Sequence, residues 1–143
     1  MSYFEIDGEL RPLIKSGKYD AVFKGFKTVR MFNGRAEKLE LLFDIITHGK
    51  YFGINIPRYY NVKIKGKAQT EGCFKAPQSG NFLREYANLF GLPQRLDRIP
   101  MSKYKNKIFE CSVKTVKTGY NQAKIHKQLQ YSVIEELIKV KNL

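Results

Sequence analysis

The sequence has no tryptophan and only two cysteines and two histidines. Cys73 and Cys111 are expected to be reduced thiols in the cytoplasm, because the first ten residues, MSYFEIDGEL, show no export signal. His48 and His126 lie far from each other and from the cysteines, which excludes the usual ligand spacings of a zinc site. No apolar run approaches the roughly 18 residues of a membrane-spanning helix. Neither a bound metal nor a membrane segment is therefore expected.

Motifs for catalysis are also missing. The sequence contains neither the GxxxxGK[ST] phosphate loop nor the GxGxxG dinucleotide motif. Its carboxylates are scattered, whereas nucleases that use metal ions need them clustered. We expect a protein that is not an enzyme and has no cofactor.

Acidic residues are few relative to basic ones: 13 Asp and Glu stand against 26 Lys and Arg, which gives a net charge of +13. Such an excess favours a polyanionic partner, and nucleic acid is the commonest one inside a cell. A solvated basic surface, or one that meets acidic lipid or an acidic protein, is the alternative. The length of 143 residues and the hydrophobic content of 43% indicate a single folded domain over residues 1–143.

Alternation of apolar and polar residues predicts a three-stranded meander. The expected strands are residues 18–30, 38–48 and 51–57. Gly25 interrupts the first strand, which is typical of a β-bulge or a sharp bend. Turns are expected at Asn33-Gly34, a strong hairpin signal, and near Gly49. In the third strand the predicted core residues are Phe52, Ile54 and Ile56, and Pro57 is expected either to end regular pairing or to sit where its missing N–H is not needed.

The second half of the sequence changes period. A basic, glycine-containing loop is expected at residues 62–80. The apolar stripe of NFLREYANLFG predicts a helix at 81–91, capped by Ser79 or Asn81 and ended by Gly91. A strand is predicted at 107–117, a loop at 118–128 and a last strand at 129–135. The final residues, ELIKVKNL, either extend this strand or form a short helix.

This order of elements, three strands, a helix and two strands, is that of the OB fold. The OB fold is a five-stranded Greek-key barrel that commonly binds oligonucleotides. The predicted fold class is therefore mainly β, with one helix between strands 3 and 4. Another small α+β or β-barrel arrangement is the alternative.

Binding to single-stranded nucleic acid requires cations for phosphates and exposed rings for bases. Tyr51 and Tyr59 are the best stacking candidates, and the alternative for both is a structural, edge-packed role. Tyr60 either joins them or turns inward after Pro57. The full set of predicted nucleic-acid-binding residues is Lys24, Phe26, Arg30, Phe32, Tyr51, Arg58, Tyr59, Tyr60, Lys63, Lys65, Lys67, Lys114, Lys117, Tyr120 and Lys124.

Four stretches, SGKYDAVFKGF, YFGINIPRYYNV, NFLREYANLFG and NKIFECSVKTV, make the chain resemble OB-fold single-stranded DNA-binding proteins. The resemblance is to the small, divergent ones carried by phages, plasmids and mobile elements. It implies a protein that coats single-stranded DNA during replication or recombination, as a dimer or tetramer, in the cytoplasm and associated with the nucleoid. It also implies replication or recombination proteins as partners. Cellular members stack bases on tryptophan as well as phenylalanine, so here tyrosine and phenylalanine would serve.

Two other functions fit the same residues. An RNA-binding OB-fold protein would use the same stacking and phosphate contacts. A basic interaction subunit of a replication or phage assembly would use its rings as contacts with an acidic protein.

Overall fold

A five-stranded antiparallel sheet is the main element of the computed structural model, which describes residues 11–31, 34–66, 74–95, 99–119 and 123–142. The elements are β1 (Gly17–Met31), β2 (Ala36–Ile45), β3 (Asn55–Asn61), β4 (Lys63–Ile64), β5 (Phe74–Lys75), α1 (Asn81–Phe90), β6 (Lys107–Val116) and β7 (Tyr131–Asn142). The large sheet has the order β3-β2-β1-β6-β7, while β4 and β5 pair separately. A mainly β fold with a single helix in the described residues is therefore confirmed. The predicted residues Phe32, Asn33, Lys67, Cys73 and Tyr120 lie outside the described residues.

The long strand β1 is shared between two neighbours. It pairs with β6 over Gly17–Val22 and with β2 from Ala21 onwards. In the β1–β2 ladder Phe23 lies opposite Phe43 and Gly25 opposite Leu42, so Lys24 is an extra residue. The predicted irregularity at the glycine is thus confirmed as a bulge. A bulge bends its strand and increases the local twist, which favours coiling of the sheet.

Coiling brings the two outer strands of the sheet together. Residues of β3 and β7 are near neighbours, although these strands are at opposite ends of the hydrogen-bonded order. Because all neighbouring pairs are antiparallel, β3 and β7 run in the same direction.

The predicted position of the third strand was wrong. Residues 46–54 form turns instead, in which the Gly53 amide donates to the Ile45 carbonyl at 2.7 Å. Phe52 lies in these turns with 63% of its surface exposed, so it is not a core residue. Of the two expected roles of Pro57 the structure has the second, because Pro57 lies inside the outer strand β3 opposite Leu42. An outer strand tolerates this proline, because backbone N–H groups on its unpaired side are not needed for hydrogen bonds within the sheet.

Helix α1 confirms the predicted helix and buries Phe82 and Tyr86 against the sheet. It ends at Gly91, whose positive φ of 83° favours glycine and whose amide donates to the Ala87 carbonyl. The predicted capping side chains were wrong, because Gly80 precedes the helix and no side chain caps it.

The remaining elements refine the predicted ones. The strand predicted at 107–117 is confirmed as β6, and ELIKVKNL extends β7 as a strand. The expected loop 62–80 contains the short pair β4–β5. Edge-to-face aromatic packing fills the core, as between Phe43 and Phe109, whose ring centres are 5.5 Å apart.

Candidate nucleic-acid interface

A groove of about 200 Å³ collects side chains from all five strands of the large sheet. We call it the central groove; it is lined by Met31, Lys38, Arg58, Tyr59, Lys114, Val116, Tyr131, Val133 and Ile134. Pairing across β6 and β7 places Val116 opposite Tyr131 and Lys114 opposite Val133. No carboxylate is among these lining residues. The groove thus combines two phenol rings with cationic side chains.

Tyr59 and Tyr131 supply the rings of the central groove. Tyr59 lies opposite Glu40 in the β2–β3 ladder. Burial and then the negative charge of Glu40 raise the pKa of Tyr59 well above its ordinary value, so its phenol stays neutral at physiological pH. The guanidinium carbon of Arg11 lies 4.2 Å from the ring centre of Tyr131, a cation–π contact. One face of the Tyr131 ring therefore already stacks with a cation, although Arg11 does not itself line the groove.

Lys38 and Lys114 supply the ammonium groups. Lys38 is half-buried, burial lowers its pKa, and its Nζ donates to Asn61 Oδ1. Lys114 is exposed. The side chain of a half-buried lysine is restricted to few positions, whereas the side chain of an exposed lysine can rotate to contact a flexible ligand. Together they can contact the backbone of a polyanion whose bases meet the tyrosines.

A second, basic cleft of about 650 Å³ lies in the connection between β6 and β7. Its lining residues are Lys117, Lys124, Ile125, His126, Lys127 and Gln130. Backbone hydrogen bonds shape it: the Ile125 amide donates to the Lys117 carbonyl at 2.8 Å, and the Gly119 amide to the Ala123 carbonyl at 2.7 Å. The predicted residues Lys117 and Lys124 are thus brought together. The cleft borders the same ends of β6 and β7 as the central groove, because Lys117 follows Val116 and Gln130 precedes Tyr131 in the chain.

Arg58 and Tyr60 belong to a buried polar cluster centred on Glu85 of α1. Arg58 binds both carboxylate oxygens of Glu85, through Nε at 3.3 Å and through Nη2. The Tyr60 hydroxyl donates to Glu85 Oε1 at 3.0 Å, and the Leu137 amide of β7 donates to the same oxygen at 2.9 Å. Burial opposes the charge of Arg58, but hydrogen bonds and attraction to Glu85 raise its pKa overall. The cluster joins α1, β3 and β7.

This cluster corrects two sequence-based assignments. Tyr60 is 2% exposed and Arg58 is 8% exposed, so neither offers a face to a ligand. The alternative of an inward Tyr60 is the one that the structure has. Both residues therefore have a structural role in this cluster, although Arg58 borders the central groove.

The other predicted residues do not share one surface. Tyr51 packs edge-on against Tyr19, with ring centres 6.1 Å apart, in the turns before β3. Lys24 forms an ion pair with Asp44 at 3.3 Å and lies with Phe26 in a different groove. Lys63 borders a small groove with Lys75. The residues Arg30 and Lys65 are exposed.

Sequence reasoning missed Lys38, Tyr131 and Glu85. The signal for Glu85 was present, because Phe82, Glu85, Tyr86 and Leu89 have the i, i+3, i+4, i+7 spacing of a buried helix face. Lys38 and Tyr131 carried no comparable signal. Each is an unremarkable member of its strand, and only the coiling of the sheet brings the two together.

Cys111 is a structural thiol. It is completely buried between β1 and β7, and burial raises its pKa to about 12. Because the Cys111 thiol then ionises more readily in the unfolded chain than in the folded one, the free energy of unfolding should fall as the pH rises from the pKa of a free thiol towards 12. In a Cys73→Ser variant at pH 8, we expect no reaction of the native protein with a chromogenic thiol reagent and one thiol per chain in denaturant. Rapid labelling of the native variant would contradict this assignment.

The described residues contain no group of three His, Cys, Asp or Glu side chains placed to hold a metal ion. In the same part of the chain, no helix has the length and apolar character needed to cross a membrane.

Comparison with known proteins finds no matching family model, no similar protein among those with curated functions and no similar solved structure.

Proposed function

We propose that this protein is a non-catalytic, sequence-nonspecific single-stranded DNA-binding protein of the OB-fold type, which coats exposed strands in replication or recombination. The observation that carries the proposal is the central groove, where Tyr59 and Tyr131 lie among lysines and no acidic side chain contributes to the lining. Rings and cations in one groove are the two requirements for binding a single strand without reading its sequence.

The topology supports the OB-fold assignment. An OB barrel arises when the outer strands of a coiled five-stranded sheet meet, and β3 and β7 are neighbours in this way. The lining of the central groove by all five strands agrees with such closure. Helix α1 follows β3 and precedes β6, which is the position expected of the OB helix.

The chemistry favours single strands over duplex DNA. Paired bases are stacked on one another, whereas unpaired bases expose faces that tyrosine rings can cover, at about 1–3 kcal/mol per base. The proposed phosphate contacts are Lys38, Lys114, Lys117, Lys124 and Lys127. Five such contacts should give a plot of log K against log salt with a slope of about −3.5 on single strands.

Fluorescence anisotropy with labelled oligo-dT, a matched RNA and a matched duplex, each at several salt concentrations, tests the proposal. We expect oligo-dT to bind most tightly and its affinity to fall about 100-fold between roughly 50 and 200 mM salt, as that slope requires. Equal affinity for duplex and single strand would contradict the proposal. Tighter binding to RNA would identify an RNA-binding protein instead. Absence of binding to all three would favour the interaction-subunit alternative.

A further inference from the structure

The bulge of β1 opens a separate groove of about 400 Å³, which we call the bulge groove. One wall is β1, with Phe23, Lys24 and Phe26, and the other is the segment that leads from α1 into β6, with Ser102, Lys105 and Asn106. Gly25 lines the groove with its backbone, and a Cβ added there would meet no atom within 4 Å.

The lining of the bulge groove has the parts needed to hold one nucleotide. Phe23 is held edge-on by Phe43, with ring centres 5.7 Å apart, and Phe26 is only partly buried. Lys105 is exposed and takes no part in the ion pairs of the described residues, whereas Lys24 is paired with Asp44. Ser102 and Asn106 add a hydroxyl and an amide, groups that hydrogen-bond to base edges.

Asn106 gives a second reason to regard the groove as a built site. Its φ of 57° is the only positive value at a non-glycine position in the described part of the chain. Asparagine tolerates this conformation better than most residues, and such conformations collect at ligand sites. The bulge on the opposite wall is likewise a feature that often lies beside functional sites.

We propose that the bulge groove is a second subsite for the same single strand, taking one nucleotide with its base against Phe26 and its phosphate at Lys105. The proposal rests on the proposed function and extends it from the central groove to the other half of β1. Met31, which borders the central groove, lies five positions after Phe26, so their Cα atoms are at most about 17 Å apart. The odd spacing puts their side chains on opposite faces of β1, so the bound strand passes round the edge of β1 that is not paired with β6 beyond Val22. A strand of a few nucleotides covers this distance, which lies within the roughly 4–16 nucleotides that one OB domain contacts.

Length-dependent binding tests the subsite, by anisotropy with oligo-dT of roughly 5 and roughly 15 nucleotides, a span chosen from the site sizes of single OB domains. We expect Lys105→Ala to weaken binding of the long oligomer about threefold to tenfold, to lower its salt slope by about 0.7, and to leave the short oligomer unchanged. Phe26→Ala should give the same length-selective loss by removing the proposed stacking ring while keeping every charge. Lys103→Ala is the matched control, because Lys103 is exposed on the same segment but does not line the groove.

The outcomes separate the subsite from the proposed function. If wild-type protein binds both lengths equally, or if Lys103→Ala and Lys105→Ala weaken the long oligomer alike, the subsite is refuted and the proposed function stands. If wild-type protein binds neither oligomer, both are refuted. Thermal unfolding of each variant confirms that it is folded, and Lys105→Ala should retain the wild-type Tm because Lys105 is exposed.

Discussion

Replacing Glu85 with alanine is expected to lower the free energy of unfolding by about 3–5 kcal/mol, the usual cost of breaking a buried ion pair. The carboxylate is 1% exposed and receives hydrogen bonds from Arg58, Tyr60 and the Leu137 amide. Its removal leaves a guanidinium, a phenol and a backbone amide without their acceptor in a dry environment. Since these donors come from two outer strands of the sheet, the loss also weakens the contact between β3 and β7.

Urea unfolding followed by circular dichroism measures this effect. Glu136→Ala is the matched control, because Glu136 is half exposed and meets Arg84 only at 3.9 Å. It should change stability by less than about 0.5 kcal/mol, as exposed ion pairs do. Adding Arg58→Met to Glu85→Ala should recover part of the loss, since it removes the unpaired buried charge. A loss under about 1 kcal/mol in Glu85→Ala would show that the cluster does not stabilise the fold in this way.

Replacing Tyr59 or Tyr131 with leucine is expected to weaken binding of single-stranded DNA about tenfold each, because each variant loses one stacking ring worth about 1–3 kcal/mol. Leucine preserves apolar volume, so the groove keeps its shape while the flat π-face disappears. The slope of log K against log salt should not change, because no cation is removed. The pair of substitutions together should cost about 100-fold if the two rings hold different bases.

Tyr51→Leu is the informative control for these variants, and anisotropy with oligo-dT at fixed salt is the measurement. Tyr51 was an equally strong stacking candidate from sequence, but it packs edge-on against Tyr19 and does not line the central groove. We expect less than about a twofold change, since no stacked base is lost. If Tyr51→Leu weakened binding as much as Tyr59→Leu, the interface would lie on the turns before β3 rather than in the central groove.

Local pattern predicted the elements whose signals are contained in a few neighbouring residues. The alternation of β1, its interruption at Gly25, the apolar face of α1 and the glycine that ends it, and the strand β6 all follow from short-range periodicity and backbone conformation. The prediction of the third strand failed because apolar and polar residues in YFGINIP alternate whether the strand begins at Tyr51 or at Asn55. The glycines at 49 and 53 adopt positive φ and the Gly53 amide bonds to Ile45, so turns occupy the first part of this run.

The error in the third strand carried over to the site. Because the predicted strand ended at Pro57, Tyr59 and Tyr60 lay outside it. The alternation that points neighbouring strand residues to opposite faces of the sheet was therefore not applied to them. Once β3 is continued to Asn61, Ile56, Arg58 and Tyr60 share the buried face and Tyr59 faces the groove. A proline inside a strand is allowed only at an outer position, and whether β3 is an outer strand is a property of the whole sheet.

The amino-acid sequence by itself determined the positive charge, the supply of tyrosine and phenylalanine, and most of the strands and the helix, because these depend on composition and on neighbours within one element. Only the tertiary structure decided which rings and cations meet. Lys38 and Tyr131 are brought to one groove by the coiling of five strands, and Glu85 reaches Arg58 and Leu137 across two strands and a helix. Such contacts join residues far apart in the chain, and their partners are fixed by the register and twist of the sheet as a whole.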